Sequence, residues 1–184
     1  MIMKVLKMTM VFVAILISAS SFAQSLSNEN LKAQALIDWE RAKAYTKEYL
    51  DAMPEKGMSL KPTPEMRSFA EQMLHLAQAN IGLGANGTGE KPIHADKNLE
   101  KMDELKTKEA LTKTVMESYD FVINGIRKID ISKLGNKVTM ESFKITATQL
   151  DWLQKAFEHQ THHRGQTTVY LRLAGVTPPQ EKLF

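Results

Sequence analysis

The sequence of 184 residues contains no cysteine. The protein therefore has no disulfide bonds and no thiolate metal ligands, and it lacks the Cys-x-x-Cys-His motif that attaches c-type haem. The sequence also has no glycine-rich phosphate loop before a helix, no nucleophile elbow and no Glu-x-x-His pair. These absences argue against a c-type cytochrome, a nucleotide-binding protein, a serine hydrolase and a carboxylate-bridged di-iron bundle.

The sequence also lacks a large excess of charge of one sign, because it contains 24 Lys and Arg residues and 21 Asp and Glu residues. Lys4 and Lys7 belong to residues 1–23, which contain no acidic residue, so the rest of the chain carries 22 basic against 21 acidic residues. A balance this even gives no electrostatic basis for binding a phosphate backbone. We therefore expect no nucleic-acid partner.

Residues 1–23 have the composition of a signal peptide. Two lysines precede an apolar run over residues 8–18, and small side chains at Ser21 and Ala23 occupy the positions that signal peptidase reads. The run is shorter than the roughly 20 apolar residues of a transmembrane helix, and no cysteine follows it for lipid attachment. We expect cleavage after Ala23 and export of one domain, residues 24–184, to a bacterial periplasm or out of the cell, without stable membrane insertion. An uncleaved N-terminal anchor is the alternative.

Apolar residues recur at helical spacing in four segments. The first helix is expected from about residue 29 to residue 53, where Pro54 ends it. Thr63 and Pro64 are typical of an N-cap and a first helical position, so the second helix is expected from there to about residue 83, where glycines follow.

The third helix is expected over residues 108–129, with Thr107 as its N-cap. The fourth is expected over about residues 146–174, because Thr146 and Gln149 match a capping box. Four amphipathic helices of ordinary length predict an all-α fold, a four-helix bundle.

The connections between these helices differ in length. Residues 84–106 are rich in glycine and charge, and they are long enough to cross an end of the bundle and change the simple up-down order of helices. Gly135 and Asn136 indicate a turn before the fourth helix, with a brief extended stretch near Val138 but no convincing strand. Gly175 is expected directly after the last helix.

Two histidines, His159 and His163, are four residues apart in the predicted fourth helix. Their side chains therefore share one face, with Cβ atoms about 5–6 Å apart. Gln166 and Tyr170 fall on the same stripe, where they either line a pocket or pack behind it. Such a face is typical of a metal pocket inside a helix bundle, although histidine pairs at this spacing also occur by chance as core features.

Three neighbouring polar residues are less informative. His162 points about 100° away from the pair, so we expect His162 and Arg164 near the bundle edge, solvated or hydrogen-bonded. Gln160 stands where a zincin protease has its glutamate base, which argues against a protease.

A third metal ligand would have to come from another helix, and His75 is the only other histidine in a predicted helix. Periodicity places His75 at an edge of small residues. This position fits either an exposed side chain or the close approach of another helix or a ligand. His94 lies in the long connection and is expected to be exposed.

The residues from His159 to Gln166, followed by residues 170–175 and a Pro-Pro pair at 178–179, resemble the C-terminal signature of the DinB-like (DinB/YfiT) superfamily. Residues 69–77, a helical segment ending in His-Leu-Ala, resemble the family's other motif.

This resemblance covers about residues 29–180 and implies a four-helix bundle of DinB-like type. Its unusual helix order requires a long crossover between helices 2 and 3. The resemblance also implies a divalent metal ion, Zn²⁺ or Ni²⁺, held by His75, His159 and His163. Glu71, one turn before His75, is expected to accept the second ring N–H of that histidine.

Members of this superfamily are described as metal-dependent enzymes. Some relatives transfer or isomerise with low-molecular-weight thiols, and one is hydrolase-like. The export signal departs from this pattern, because cytoplasmic thiols are scarce outside the cytoplasm. We therefore expect an exported metal-dependent hydrolase or transferase with an unidentified small-molecule substrate, able to form a homodimer through a bundle face. The alternative is a non-catalytic metal- or ligand-binding bundle, which the lack of an evident acidic general base favours.

Overall fold

Four long helices account for most of residues 27–184, the part of the chain that the computed structural model describes. They are α1 (Asn28–Ala52), α2 (Phe69–Thr88), α3 (Lys108–Lys128) and α4 (Gln149–Leu173). The expected signal peptide, residues 1–23, lies outside these residues. Within residues 27–184, no helix is both long and apolar enough to cross a membrane.

The second helix begins five residues later than its sequence predicted. Its N-cap is Ser68, whose side chain accepts from the amide of Glu71 while the Glu71 carboxylate accepts from the Ser68 amide. The preceding segment folds across this helix end, so that the carbonyls of Leu60 and Met58 accept from the first two amides of α2. The prediction that Thr63 caps this helix was therefore wrong, because the donors of the first turn have their partners at Leu60, Met58 and Ser68.

The same helix also continues past three glycines that were expected to end it. A Cβ atom on Gly84 would lie 2.6 Å from Val122 of α3, and one on Gly87 would lie 2.6 Å from Leu153 of α4. These two glycines therefore bring neighbouring helices close to α2. The helix ends instead at Gly89, whose φ of 76° is left-handed.

A short hairpin precedes α4 and corrects the expectation that the fold has no strand. Strands β1 (Lys137–Met140) and β2 (Ile145–Thr148) are antiparallel, with Lys137 opposite Thr148. Because residue 146 is in β2, the capping box of α4 is formed by Thr148 and Asp151 rather than by Thr146 and Gln149.

The packing of the four helices confirms the predicted bundle. The first helix packs mainly against α3 and α4, and α2 also packs mainly against α3 and α4, most extensively against α4. The 3₁₀ turns Leu99–Lys101 and Asp103–Leu105 lie in the long crossover between α2 and α3, and Leu99 is buried. The predicted caps Thr107 and Gly175 are confirmed, since Thr107 accepts from Ala110 and Gly175 follows the last turn with a φ of 76°.

Candidate metal centre

Three histidines from two helices meet at the interface between α2 and α4. His75 of α2 faces His159 and His163 of α4, and one nitrogen atom from each ring lies within 4.8 Å of the other two. The ring centroids are 5.1 Å apart for His75 and His159, 4.5 Å for His75 and His163, and 4.2 Å for His159 and His163. We refer to these three residues as the three-His centre.

The close contact of α2 with α4 accounts for this convergence. His159 and His163 share a face of α4 because they are one turn apart, and His75 reaches them because α2 packs most extensively against α4. Periodicity left the environment of His75 open between exposure and close approach, and the structure shows close approach with 26% of the side chain exposed.

His159 and His163 are held neutral at neutral pH. Burial is the main cause that lowers the pKa of His159 from 6.5 to about 4, and the positive charges of nearby histidines and Arg67 act in the same direction. Burial likewise lowers the pKa of His163 to about 3, assisted by the other histidines and Arg67. A neutral imidazole has a lone pair for a metal ion, so this environment favours ligation over protonation.

His75 is oriented by an acidic residue of the crossover. Its Nδ1 donates to Glu100 Oε1 over 2.6 Å, and Arg67 Nε donates to the other carboxylate oxygen over 2.6 Å. Burial opposes the ionisation of Glu100, but the hydrogen bonds from Arg67 and His75 outweigh it and lower the pKa of this carboxyl. The expectation that Glu71 fills this role was wrong, because Glu71 caps α2 and accepts from Lys106.

His163 is oriented by a chain of polar side chains. Its Nδ1 lies 2.6 Å from the Gln72 amide, which also contacts the amide of Gln166. Gln166 in turn lies 3.1 Å from His162 Nε2 at the exposed surface. Gln166 therefore contacts the centre through Gln72. Tyr170 is a fully buried core residue that donates to the Arg67 carbonyl.

The third ring carries an unsatisfied atom. Nδ1 of His159 is buried and has no hydrogen-bond partner among residues 27–184. Buried polar atoms in proteins almost always have a partner, so this nitrogen indicates that a binding partner is absent from the described residues. A divalent ion that takes imidazole ligands fits the donor set of three neutral rings.

A cavity of about 620 Å³ adjoins the centre. His75 and His159 form part of its wall, and most of the remaining wall is apolar. This apolar part comes from α2, the crossover and the hairpin, and it includes Ile81, Leu83, Ile93, Leu99, Met140 and Phe143. His94 lies in this wall with its side chain exposed, as expected, and with a φ of 56°.

Arg164 is hydrogen-bonded, one of the two expected alternatives, but it is buried rather than solvated, with only 8% of it exposed. Its neighbour His162 is exposed, as expected. The helical periodicity of α4 places Arg164 at the edge of the bundle. Thr46 and Tyr45 of α1 contact its side chain, however, so α1 buries Arg164.

Comparisons with known proteins agree with this architecture. The DinB family model matches residues 24–183. A DinB-like protein of Bacillus cereus is similar in structure with a TM-score of 0.69 and 20% identity, covering 80% of this chain and 95% of that one. A DinB-like protein of Bacillus subtilis has a TM-score of 0.62 and 19% identity, covering 82% of this chain and 96% of that one. A conserved protein of Enterococcus faecalis has a TM-score of 0.60 and 17% identity, covering 77% and 95%. No curated protein matches the chain.

Proposed function

The chain belongs to the DinB family, and we propose that it is a metal-dependent enzyme that acts on a small molecule at the three-His centre. The observation that carries this proposal is the approach of one nitrogen atom from each of three histidines to within 4.8 Å of the others. The centre also lies in the wall of a cavity large enough for a small organic molecule.

The residues present suit a divalent ion such as Zn²⁺ or Ni²⁺. Two of the three rings have strongly lowered pKa values, and the third is fixed by a carboxylate. When bound, such an ion supplies Lewis-acid chemistry, in that it polarises an electrophile or lowers the pKa of a water molecule. Three protein ligands are the number found in catalytic zinc sites, which keep a position open for water or substrate.

The hydrogen bonds of His75 and His163 determine which nitrogen of each ring carries a proton. His75 uses Nδ1–H toward Glu100, so its Nε2 is the nitrogen left with a free lone pair. For His163 to offer Nε2 in the same way, Nδ1 must carry the proton and Gln72 must present its amide oxygen to it. Amide oxygen and nitrogen exchange positions by a half-turn of the side chain. The same half-turn at Gln166 keeps the chain of hydrogen bonds intact as far as His162.

The cavity indicates the kind of substrate. Its wall is mostly apolar, and Phe143 at the hairpin turn is 71% exposed. A substrate with an apolar body would bury this surface while its reacting group faces the histidines. A purely structural metal site has a closed set of protein ligands, so the adjoining cavity favours the enzyme over the non-catalytic bundle.

Export remains part of the proposal. The pattern of residues 1–23 supports a cleaved signal peptide, and a location outside the cytoplasm favours hydrolysis over transfer to a cytoplasmic thiol. N-terminal sequencing of the protein recovered from a periplasmic fraction should give Gln24 as the first residue. Recovery of the chain from the cytoplasm with residues 1–23 intact would contradict export.

The proposal is tested by metal content. The chain from Gln24, purified without a histidine tag, should contain close to one equivalent of Zn or Ni by mass spectrometry. His159→Ala should lose this metal, whereas Lys155→Ala, an exposed position one turn earlier on the same helix, is the control and should retain it.

Two outcomes would count against the centre. A wild-type protein that stays empty after exposure to Zn²⁺, Ni²⁺, Mn²⁺ and Fe²⁺ would exclude it as a metal site. Equal metal content in His159→Ala and wild type would place the metal elsewhere. Once the metal is established, hydrolysis of apolar ester and amide substrates by the loaded protein and by His159→Ala tests the activity.

A further inference from the structure

A second polar cluster lies on the other side of α4 and is independent of the three-His centre. It is built around Arg164, which is 8% exposed. Nη1 donates to Gln160 Oε1 over 2.8 Å and to Thr46 Oγ1 over 3.4 Å. The guanidinium carbon also lies 4.6 Å from the centre of the Tyr45 ring.

No carboxylate of the described residues lies within ion-pair distance of this buried charge, although Glu181 lines the same cavity. Within residues 27–184, Arg164 takes part in no ion pair and in no hydrogen bond with a carboxylate. Residues 1–26 contain no Asp or Glu that could supply one. Arginine is almost never buried unless it is paired, and an uncompensated buried charge is costly to stability. The position of Arg164 therefore calls for an anion.

The surrounding cavity has a suitable size and chemistry. It has a volume of about 270 Å³ and is bounded by α1, α4 and the C-terminal tail. Two tyrosines and two threonines line it. Arg41 and Lys182 line it as well, each in an ion pair with an acidic residue outside the lining, Asp38 and Glu48. The hydroxyl-bearing residues are Tyr45, Tyr49, Thr161 and Thr168.

The guanidinium has donors to spare. Both hydrogen bonds of Arg164 within the described chain come from Nη1, whereas a guanidinium has five N–H donors in a planar fork. Such a fork matches the two oxygens of a carboxylate or a phosphate. Because Arg164 lines the cavity, its remaining donors are available to a molecule bound there.

We propose that this cavity binds the oxyanion group of a small molecule, a carboxylate or a phosphate, with Arg164 as the central donor. The cavity shares no lining residue with the cavity beside the three-His centre. The oxyanion site therefore does not depend on the metal, even though Arg164 directly follows His163 in the sequence.

The C-terminal tail partly covers this site. Arg41 donates to the carbonyls of Lys182 and Leu183, which holds the tail across the cavity. Glu181 is the one acidic residue in the described lining. Its carboxylate competes electrostatically with an incoming anion, so removing its charge should strengthen anion binding.

The test measures binding of inorganic phosphate and of acetate by calorimetry and thermal unfolding. The protein is stripped of metal and freed of chelator beforehand, and potassium chloride at the same ionic strength is the reference. Phosphate, acetate or both should raise Tm and bind wild type, bind Glu181→Gln several-fold more tightly, and fail to bind Arg164→Gln. The arm that gives the higher affinity identifies the class of oxyanion.

His159→Ala is the control for the metal centre and should bind the anion as wild type does. The proposal is overturned if neither anion exceeds chloride, if Arg164→Gln binds equally, or if His159→Ala loses binding. Should Arg164→Gln fail to fold, Glu181→Gln decides the matter, because an affinity equal to that of wild type would contradict an oxyanion in this cavity.

Discussion

His75 donates a 2.6 Å hydrogen bond to Glu100, a residue 25 positions later in the crossover between α2 and α3. The bond fixes the ring from the side opposite its free nitrogen, and the Arg67 guanidinium holds the carboxylate in turn. Partners of this kind set the orientation of a ligand and the nitrogen that it offers. The crossover therefore orients one ring of the centre, although none of the three histidines comes from it.

Glu100→Gln should weaken metal binding by about 10- to 100-fold, the usual effect of losing such a partner. The amide keeps the shape of the side chain but removes the charge that Arg67 and His75 share. Competition with a chelating dye measures the change. Glu104→Gln, an exposed position in the same crossover, is the matched control and should bind metal as wild type does.

Two substitutions of Gln72 should differ in their effect on metal affinity. Gln72→Met removes the acceptor for His163 Nδ1–H and should lower metal affinity, because the ring loses its fixed orientation. Gln72→Glu keeps an acceptor at the same distance and should retain affinity. Metal titration of both variants measures the effect, and equal affinities in wild type and Gln72→Met would show that this contact is dispensable.

The metal-free protein should lose stability as the pH falls. The folded state holds His159 and His163 at pKa values of about 4 and about 3, whereas the unfolded chain has the ordinary value of 6.5. Between about pH 4 and pH 6.5 the unfolded state binds more protons than the folded state. The free energy of unfolding therefore decreases as the pH drops from about 6.5 toward 4.

His159→Gln removes one of these two groups and should therefore show a shallower decline of Tm over the same interval. Carboxylates with lowered pKa values, such as Glu71 and Glu100, contribute equally to both proteins and cancel in the comparison. Thermal unfolding at several pH values measures both curves. Parallel curves would contradict the low pKa of His159.

Two glycines of α2 should respond to alanine in opposite directions. Gly87→Ala places a Cβ atom 2.6 Å from Leu153 Cγ and 2.9 Å from its backbone nitrogen, so it should destabilise the fold by about 1–3 kcal/mol. Gly82→Ala meets nothing within 4 Å and should stabilise the helix by roughly 0.5–1 kcal/mol. Urea unfolding measures both, and a neutral Gly87→Ala would show that the interface can relax.

Local sequence patterns predicted the features that depend on residues close together in the chain. The apolar spacing gave all four helices, and Thr107 and Gly175 gave two of their ends. The pair His159 and His163 followed from one turn of helix, but the third member of the centre, His75, came from a family resemblance, because periodicity describes one helix at a time.

The features that local patterns missed depend on contacts between distant segments. Gly84 and Gly87 resemble helix breakers in the sequence, and only the neighbouring helices reveal why they are tolerated. Glu100 lies in a connection with no periodicity, so nothing nearby marks it as the partner of His75. Arg164 is buried because α1 covers it, which the pattern of α4 alone does not contain.

The three-His centre draws its rings from two helices that are separated by a third helix in the sequence, and this separation determines when the proposed metal could bind. A ribosome completes most of the polypeptide before it adds His159 and His163, so a chain still in translation lacks two of the three rings. Under the proposed function, metal binding would therefore be a late event, and the ion available where folding finishes would be the one that the assembled centre captures.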